Sequence, residues 1–343
     1  MLISEFDYDL PEELIAQNAL EKRENSRMLA VDRAGQNFSD EYFYDLPRFL
    51  KAGDCVVLNN TKVFPARLFG TSETGARIEL FLVSEIENQT WETLARPARR
   101  LKPGKIIRFD ENLTARVIEK TSEGRVIARF ESDGDFHDIL EKVGKTPLPP
   151  YIKRDTEFPE TDKNRYQTVF AKERGAIAAP TAGLHFTPEI LAEIKNLGVT
   201  VEEITLHVGY GTFEPVRVSD LSEHQVMPEQ CAISAETART LNQAKAENRR
   251  IIAVGTTTTR ALESSTDENG KIFPGTHYAD LTVTPGYQSK IINGLLTNFH
   301  LPQSSLLVLV STFAGYDLTL RAYRHAVNSR YRFYSYGDCM LII

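Results

Sequence analysis

The sequence predicts an α/β fold: an α/β body that carries an inserted, mostly β module, either a small barrel or a sandwich. The chain has 343 residues, enough for one large domain or two ordinary ones. From residue 66 to about 130, short alternating runs such as RIELFLV and LTARVIEK are separated by turn signals, as in small barrels. Beyond residue 150, helix and strand patterns alternate, which is typical of an α/β body.

The boundaries of the insert follow from the segments that flank it. DCVVLNN (54–60) predicts a buried strand of the body, and the proline-rich KTPLPPYIKR (145–154) predicts an exit linker. We therefore assign residues 1–61 and 149–343 to the body and residues 62–148 to the inserted β-barrel.

Helix signals in the second half of the chain are specific enough to name capping residues. Thr187 is expected to cap a helix that Gly198 ends. Ser234 and Ser304 are expected to cap two further helices, and Asp317 a last one.

Composition excludes several classes of protein. Charged residues make up 25% of the chain and hydrophobic residues 41%, as in globular proteins with a real core. No apolar run approaches the roughly 18 residues that span a bilayer, and the N-terminus lacks a signal-peptide pattern. We expect a cytoplasmic protein without a membrane partner. The three cysteines form no CxxC pair and the histidines no HExxH motif, so neither disulfides nor a metal site are expected.

Charge is unevenly distributed along the chain. The net charge of −7 argues against a protein that coats nucleic acid through bulk positive potential. Residues 96–108, however, include six basic and no acidic side chains, and residues 321–332 include four arginines among aromatic residues. A particular anionic partner would explain both runs, and two solvated faces are the alternative.

Two glycine-containing loops predict anion-binding sites. In APTAGLHFT (179–187), small residues lead into a helix N-terminus; Thr181 and Gly183 offer a hydroxyl and open backbone, and His185 is able to move a proton. A packed loop with a core histidine is the alternative. In AVGTTTTRALES, hydroxyls precede Arg260, which we place at the start of a helix as a bidentate donor. The hydroxyls belong to Thr256, Thr257, Thr258 and Thr259.

Three further stretches carry polar or aromatic side chains. LHVGYGTFEPV fails the dinucleotide-binding pattern, because Glu214 stands where a third glycine is needed. Its glycines instead predict close approach of a ligand ring. TNFH places polar groups at a strand end, where ligands bind in α/β proteins. YRFYSYGDCMLI predicts either a stacking platform for nucleobases or an aromatic strand in the core. The candidate residues of these stretches are His207, Gly211, Thr212, Asn298, His300 and Asp338.

Together these features predict a nucleotide-like small substrate and an RNA partner, and hence a transferase that acts on RNA. Two rival classes remain open. An enzyme that acts on free nucleosides or pterins would leave the basic runs without a use, and a non-enzymatic RNA-binding protein would leave the polar loops unexplained.

The same stretches, with NNTKVFPARLFG, RPARRLKPG and RYQTVFA, resemble the S-adenosylmethionine:tRNA ribosyltransferase-isomerases of queuosine biosynthesis from end to end. The resemblance implies transfer and isomerisation of the ribosyl group of S-adenosylmethionine onto a 7-aminomethyl-7-deazaguanine base at the wobble position of tRNA. Epoxyqueuosine-tRNA would form, with release of adenine and methionine. The resemblance also implies a barrel-like α/β catalytic body with an inserted small β-barrel domain. The implied partners are that tRNA and S-adenosylmethionine, and no cofactor is implied because S-adenosylmethionine is consumed as the donor. We expect a monomer or a weak homo-oligomer.

Three positions depart from the family pattern. Pro228 stands where a second histidine is usual, which weakens any obligatory role for that histidine. Tyr210 replaces a small residue and Asn293 an acid, and both concern the shape of the pocket rather than the reaction.

The implied chemistry assigns roles to the candidate residues. Removal of a ribose 5′ proton needs a base, for which His185 or His300 is the candidate. Asp338 is expected to recognise the amine or a ring N–H of the deazaguanine. The threonine run with Arg260 is expected to hold the methionine carboxylate or a tRNA phosphate. The tRNA phosphates are expected to contact Arg99, Arg100, Lys102 and Lys105 on the insert.

Overall fold

The computed structural model describes residues 1–154, 160–213 and 216–343, without the side chains of residues 100, 160, 212 and 213. Within these ranges the chain forms a nine-stranded mixed sheet with helices, a closed six-stranded barrel and a two-stranded sheet. The α/β body with an inserted β-barrel is thereby confirmed. No helix in the described ranges is long and apolar enough to cross a membrane.

The strands are β1 (Arg27–Asp32), β2 (Asn37–Tyr42), β3 (Cys55–Asn59), β4 (Thr61–Val63), β5 (Arg67–Ser72), β6 (Arg77–Glu87), β7 (Thr90–Arg96), β8 (Ile106–Arg108), β9 (Leu113–Lys120), β10 (Val126–Ser132), β11 (Glu173–Ala176), β12 (Thr200–Leu206), β13 (Glu229–Ile233), β14 (Ile251–Val254), β15 (Gly275–Ala279), β16 (Gly294–Asn298) and β17 (Cys339–Ile342). The α-helices are α1 (Phe136–Val143), α2 (Glu160–Arg165), α3 (Pro188–Asn196), α4 (Ala235–Ala246), α5 (Thr256–Ser264), α6 (Ser305–Ala314) and α7 (Tyr316–Asn328).

The body sheet brings several strand ends to one edge. Its order is β15-β13-β12-β3-β14-β16-β17-β1-β2. Strands β12, β3, β14 and β16 are mutually parallel, so their carboxyl ends share an edge. Strand β17 runs antiparallel to β16, so the loop before β17 arrives at that same edge. All four residues of β14 and all five of β16 are buried, because helices cover both faces of a largely parallel sheet.

The barrel closes in the order β10-β7-β6-β5-β8-β9 and has a core of its own. Its strands lie inside the predicted insert, 62–148, whereas β4 pairs with β11 of the body. At the neck of the barrel, the Arg67 N–H donates to the Lys145 carbonyl (3.2 Å) and the Lys145 N–H to the Arg67 carbonyl (2.8 Å). The chain therefore enters and leaves the barrel side by side.

Three of the four predicted helix caps are confirmed. The side chains of Thr187, Ser234 and Ser304 each accept a backbone N–H in the first turn of α3, α4 and α6. The predicted cap at Asp317 is wrong. Helix α7 begins one residue earlier, after Gly315 at φ +97°, and Asp317 lies in its first turn, where its charge complements the helix dipole.

The predicted helix start at Arg260 is also wrong, because α5 begins at Thr256. Four successive β-branched residues are poor helix formers, but the surrounding structure overrides that preference. Gly255, at φ +94°, turns the chain out of β14. The Thr258 and Thr259 hydroxyls then donate to the carbonyls of Val254 (2.7 Å) and Gly255 (3.2 Å), within the helix itself.

Candidate active site

A cavity lies where the central strands of the body end. It contains about 570 Å³ of empty space, including its open mouth. The loops after β11, β14 and β16 form most of its wall, so the structure brings together three of the loops that the sequence singled out. The lining comprises residues 178–182, 255–257, 297–300 and 334–335, with Tyr151, Tyr166, Val208 and Leu306.

One side of the cavity is aromatic. Tyr151 and Tyr334 meet edge to face, with ring centroids 3.9 Å apart and ring planes at 88°. Tyr334 has φ +73°, and its backbone is fixed by its own N–H, which donates to the Phe299 carbonyl (3.1 Å). Tyr166 completes this wall. Aromatic faces of this kind suit a planar heterocyclic ring.

Two hydroxyl groups of lining residues are enclosed by protein. Tyr166 is only 1% exposed, and burial raises the pKa of its phenol, while hydrogen bonds to the Ser335 side chain and the Ala179 backbone oppose the rise, so the phenol stays protonated. Among the described residues, the Thr257 hydroxyl has no hydrogen-bond partner. An unmet buried polar group costs about 1–3 kcal/mol, so this position favours a ligand with a complementary polar atom.

The opposite side of the cavity is the N-terminus of α5. Thr256 and Thr257, in its first turn, line the cavity. Their backbone N–H groups have no acceptor within the helix, and the helix dipole adds positive potential, which suits a carboxylate or phosphate. Only these two of the four threonines reach the cavity, because Thr258 and Thr259 bond back to the preceding turn.

Arg260 does not line the cavity. Its guanidinium pairs with Glu229 (2.5 Å) and donates to the carbonyls of Ala279 (2.7 Å), Met227 (3.2 Å) and Leu281 (3.3 Å). The side chain is buried, and its contacts tie the loop before β13 to the end of β15. The structure therefore gives Arg260 a bracing position within the body.

The two candidate histidines differ in position. His300 lines the cavity, with Nε2 3.0 Å from the Thr297 hydroxyl, and burial lowers its pKa to about 3. His185 lies behind the wall, with Nε2 3.1 Å from Asn298 Oδ1 and Nδ1 2.9 Å from the Ser26 hydroxyl. Burial lowers the pKa of His185 to about 4. Both rings are therefore neutral near pH 7.

Asp338 lies outside the cavity lining. Its carboxylate accepts the backbone N–H groups of Arg27 (3.0 Å) and Arg332 (2.7 Å), and Arg27 Nε is 3.6 Å away. Burial raises the pKa of Asp338, while these hydrogen bonds oppose the rise. The contacts fix the chain before β17 against β1 rather than reaching toward a ligand.

Of the remaining substrate-binding candidates, some line the cavity and others lie outside it. Thr181 and Asn298 line the cavity. Gly183 lies against Phe170, where a Cβ would come within 2.7 Å of the ring. His207 bonds Thr61 (2.8 Å) away from the cavity. Gly211 lies in a separate pocket, and the Thr212 side chain is outside the described residues.

Sequence reasoning missed Tyr151, Tyr166 and Ser335. Tyr151 lies in the segment predicted as a linker, yet its hydroxyl is hydrogen-bonded to the Ser335 hydroxyl at the cavity wall. Tyr166 belongs to RYQTVFA, which entered only through the family resemblance. In the C-terminal stretch Tyr331 and Phe333 are buried in the core, as one alternative predicted, whereas Tyr334 lines the cavity.

The basic run of the barrel is accessible. Arg99 and Lys102, between β7 and β8, are exposed, Lys105 is half-buried, and the Arg100 side chain lies outside the described residues. A groove between barrel and body begins beside this run at Arg96. Its other basic lining residues are Arg67, Lys153 and Arg154.

The groove and the cavity share a wall. Pro149, Pro150 and Ile152 line the groove, while Tyr151 between them lines the cavity. Tyr210, one of the departures from the family pattern, lies in the groove and packs edge to face on Phe81 of the barrel (6.2 Å between centroids). Basic side chains thus line the groove from the barrel to the border of the cavity, and three of them are ion-paired: Arg67 with Glu79 (3.2 Å), Lys153 with Glu12 (2.5 Å) and Arg154 with Asp162 (2.7 Å).

Fold and site together define an α/β protein with an inserted β-barrel and a cavity suited to a ligand with one aromatic and one anionic part. Among the described residues, no group of three or more His, Cys, Asp or Glu side chains could hold a metal ion.

Comparison with known proteins identifies the family. The model of the family described as "Queuosine biosynthesis protein" matches residues 3–342. The S-adenosylmethionine:tRNA ribosyltransferase-isomerase of Natranaerobius thermophilus is 47% identical over 345 residues, covering 100% of this chain and 99% of that protein. The same enzyme of Caldanaerobacter subterraneus is 48% identical, covering 99% of each chain. The chain belongs to this family of queuosine biosynthesis proteins.

A solved structure agrees with this assignment. The crystal structure of S-adenosylmethionine tRNA ribosyltransferase from Thermotoga maritima superposes with a TM-score of 0.56 at 35% identity, covering 99% of this chain and 100% of that one.

Proposed function

We propose that the protein transfers and isomerises the ribosyl group of S-adenosylmethionine onto 7-aminomethyl-7-deazaguanine in tRNA, giving epoxyqueuosine-tRNA, adenine and methionine. One observation supports this above the others: a single cavity combines an anion-binding helix N-terminus with an aromatic wall, in a chain whose relatives bear this activity in their names. S-adenosylmethionine, with its carboxylate and adenine at opposite ends, has the matching chemistry. It is consumed as the donor, so the proposal includes no cofactor.

The proposed binding mode follows from the two sides of the cavity. The methionine carboxylate lies at the N-terminus of α5, where the backbone N–H groups and hydroxyls of Thr256 and Thr257 hold it. The adenine ring lies among Tyr151, Tyr166 and Tyr334.

The proposed reaction begins at the ribose 5′ carbon, which the adjacent sulfonium acidifies. A base removes that proton, the aminomethyl nitrogen attacks, adenine leaves, and closure to the epoxide releases methionine. His300 is the histidine in the cavity lining, and its ring is neutral near pH 7. We therefore assign the acid/base role to His300 and leave His185 and Asp338 outside the reacting atoms.

The proposed tRNA surface combines the barrel and the groove. Arg99, Lys102 and Lys105, with Arg100, contact backbone phosphates on the barrel. The groove lined by Arg96 and Lys153 leads the strand to the wall that Tyr151 shares with the cavity. We propose that this modification of tRNA takes place in the cytoplasm.

Adenine release tests the function. The protein is incubated with S-adenosylmethionine labelled in the adenine, with and without tRNA that carries the precursor base. Release only in the presence of that tRNA is the expected result. Stable tRNA binding without turnover would favour the non-enzymatic RNA-binding protein, and release without tRNA would favour an enzyme that acts on free small molecules.

A further inference from the structure

His185 is fully buried, yet it is hydrogen-bonded to the cavity wall. It is 3% exposed and absent from the cavity lining, while its partner Asn298 is part of that lining. Phe43 covers the ring, with centroids 5.3 Å apart. A substrate in the cavity therefore meets Asn298 and not the imidazole.

The hydrogen bonds of Asn298 fix the tautomer of His185. Asn298 Nδ2 donates to the carbonyls of Tyr334 (2.8 Å) and Ser335 (3.3 Å), so the amide nitrogen points to that turn. The amide oxygen therefore faces His185 Nε2 at 3.1 Å and accepts its proton. In the neutral ring Nδ1 then carries the lone pair and accepts the proton of the Ser26 hydroxyl at 2.9 Å, for which the Arg23 carbonyl at 3.0 Å is the competing acceptor.

These hydrogen bonds connect segments of the cavity wall with segments that lie behind it. Ser26 precedes β1, His185 follows the cavity loop 178–182, Asn298 ends β16, and Tyr334 and Ser335 precede β17. Tyr334 holds a left-handed backbone conformation, which costs free energy and persists only where its surroundings enforce it. Asn298 supplies one of the bonds that enforce it.

We propose that His185 is a positioning residue that acts through Asn298, whose amide it holds by an Nε2–H donor and which in turn holds the Tyr334–Ser335 turn on the cavity wall. Burial, with Arg23 and Arg332 nearby, lowers the pKa of the ring to about 4, so the donor persists throughout the physiological range. The role in turnover rests on the proposed function, whereas the tautomer does not.

Two substitutions separate positioning from proton transfer. In His185→Gln, the side-chain amide takes the place of Nε2–H and still donates to Asn298, but it does not titrate. In His185→Leu no donor remains. We expect His185→Gln to keep kcat within about tenfold of the wild type, and His185→Leu to lose about a hundredfold in kcat, as misplacement of a site by 1 Å can cost. If the ring moved a proton, both variants would lose about 10²–10⁴-fold, and equal losses would overturn the proposal.

A double-mutant comparison tests the route through Asn298. Added to Asn298→Ala, His185→Leu should lower kcat by much less than it does alone, because the bond that it removes is already gone. Multiplicative losses would contradict the route. Thermal unfolding checks that every variant is folded, and if His185→Leu fails to fold, the result for His185→Gln remains decisive.

The tautomer is measurable without turnover. In ¹⁵N-labelled, ligand-free protein, the His185 ring should carry its proton on Nε2, with chemical shifts that stay constant between about pH 5.5 and 8.5. A proton on Nδ1, or a doubly protonated ring at neutral pH, would overturn the inference. Failure of the wild-type protein to release adenine would instead count against the proposed function, and the NMR result would stand.

Discussion

Two arginines of the body and one of the barrel show opposite uses of the same side chain. In the body, Arg260 is 8% exposed and its guanidinium is satisfied by Glu229 and three carbonyls, and Arg250 pairs with both oxygens of the buried Asp54. In the barrel, Arg99 is exposed beside Lys102. The same residue type braces loops in one region and presents charge to solvent in the other. A run of basic or polar residues therefore indicates a ligand only where those residues are not already paired within the protein.

The strongest test of this difference is Arg260→Leu, which removes the guanidinium that lies 2.5 Å from the buried Glu229 carboxylate. We expect the free energy of unfolding in urea to fall by about 3–5 kcal/mol. The matched control is Arg99→Leu on the barrel, which should change it by less than about 0.5 kcal/mol. Similar values for the two variants would remove the distinction between the regions.

Histidine extends the comparison to pH. His185 and His300 of the body have pKa values lowered to about 4 and about 3, whereas the unfolded chain titrates near 6.5. The unfolded state therefore binds more protons below about pH 6.5, and stability should fall as the pH drops from there toward 4, by a few kcal/mol for each ring. Urea titrations at pH 7, 5.5 and 4.5 measure this loss.

A substitution tests the source of that pH dependence. His185→Gln should reduce the slope of stability against pH, because glutamine does not titrate. A flat pH profile for the wild-type protein would show that the buried rings are accommodated in their charged form.

Charge reversal on the barrel sharpens the comparison from the other side. Arg99→Glu with Lys102→Glu should weaken tRNA binding and reduce the slope of log K against log salt by about 2, because two phosphate contacts are lost. Thermal stability and the KM for S-adenosylmethionine should not change. Filter binding at salt concentrations between about 50 and 200 mM measures this slope, because the affinity changes strongly over that range. Unchanged affinity at both ends would exclude this face.

The smallest expected effect concerns Thr257, whose hydroxyl has no hydrogen-bond partner among the described residues. Thr257→Val removes the unmet hydroxyl at the N-terminus of α5 and should raise the KM for S-adenosylmethionine by about tenfold, the loss of one hydrogen bond to a charged group. Thr258→Val, one residue on, removes a hydroxyl already bonded to Val254 and should leave KM unchanged. Equal KM values for the two variants would rule out a ligand contact by Thr257.

The sequence sufficed for much of the fold because its signals were local. Alternating runs predicted the barrel strands, and hydroxyl residues before apolar periodicity predicted the caps at Thr187, Ser234 and Ser304. Asp317 misled because an acid in the first turn of a helix resembles a cap. The start of α5 misled because β-branched residues argue against a helix, and only the packing after Gly255 overrides them.

The site was predictable at the level of loops and less so at the level of side chains. The parallel pairing of β14 and β16 brings Thr256 and Asn298 together at one edge of the nine-stranded sheet, whereas Thr181 follows β11 of the two-stranded sheet and lines the same cavity. Whether a polar side chain faces the cavity depends on partners distant in sequence. Arg260 pairs with Glu229, which lies 31 positions away in the sequence, and Tyr151 is hydrogen-bonded to Ser335, which lies 184 positions away. No local pattern encodes such pairs.

The side-by-side entry and exit of the barrel have a consequence for modularity. Arg67 and Lys145 are hydrogen-bonded neighbours. The 77 residues between them therefore form a segment whose two ends lie next to each other. A short turn could bridge these two ends without stretching β4 or moving the strand ends around the cavity. Gene fragments for body and barrel can therefore be designed, exchanged or fused at a single junction.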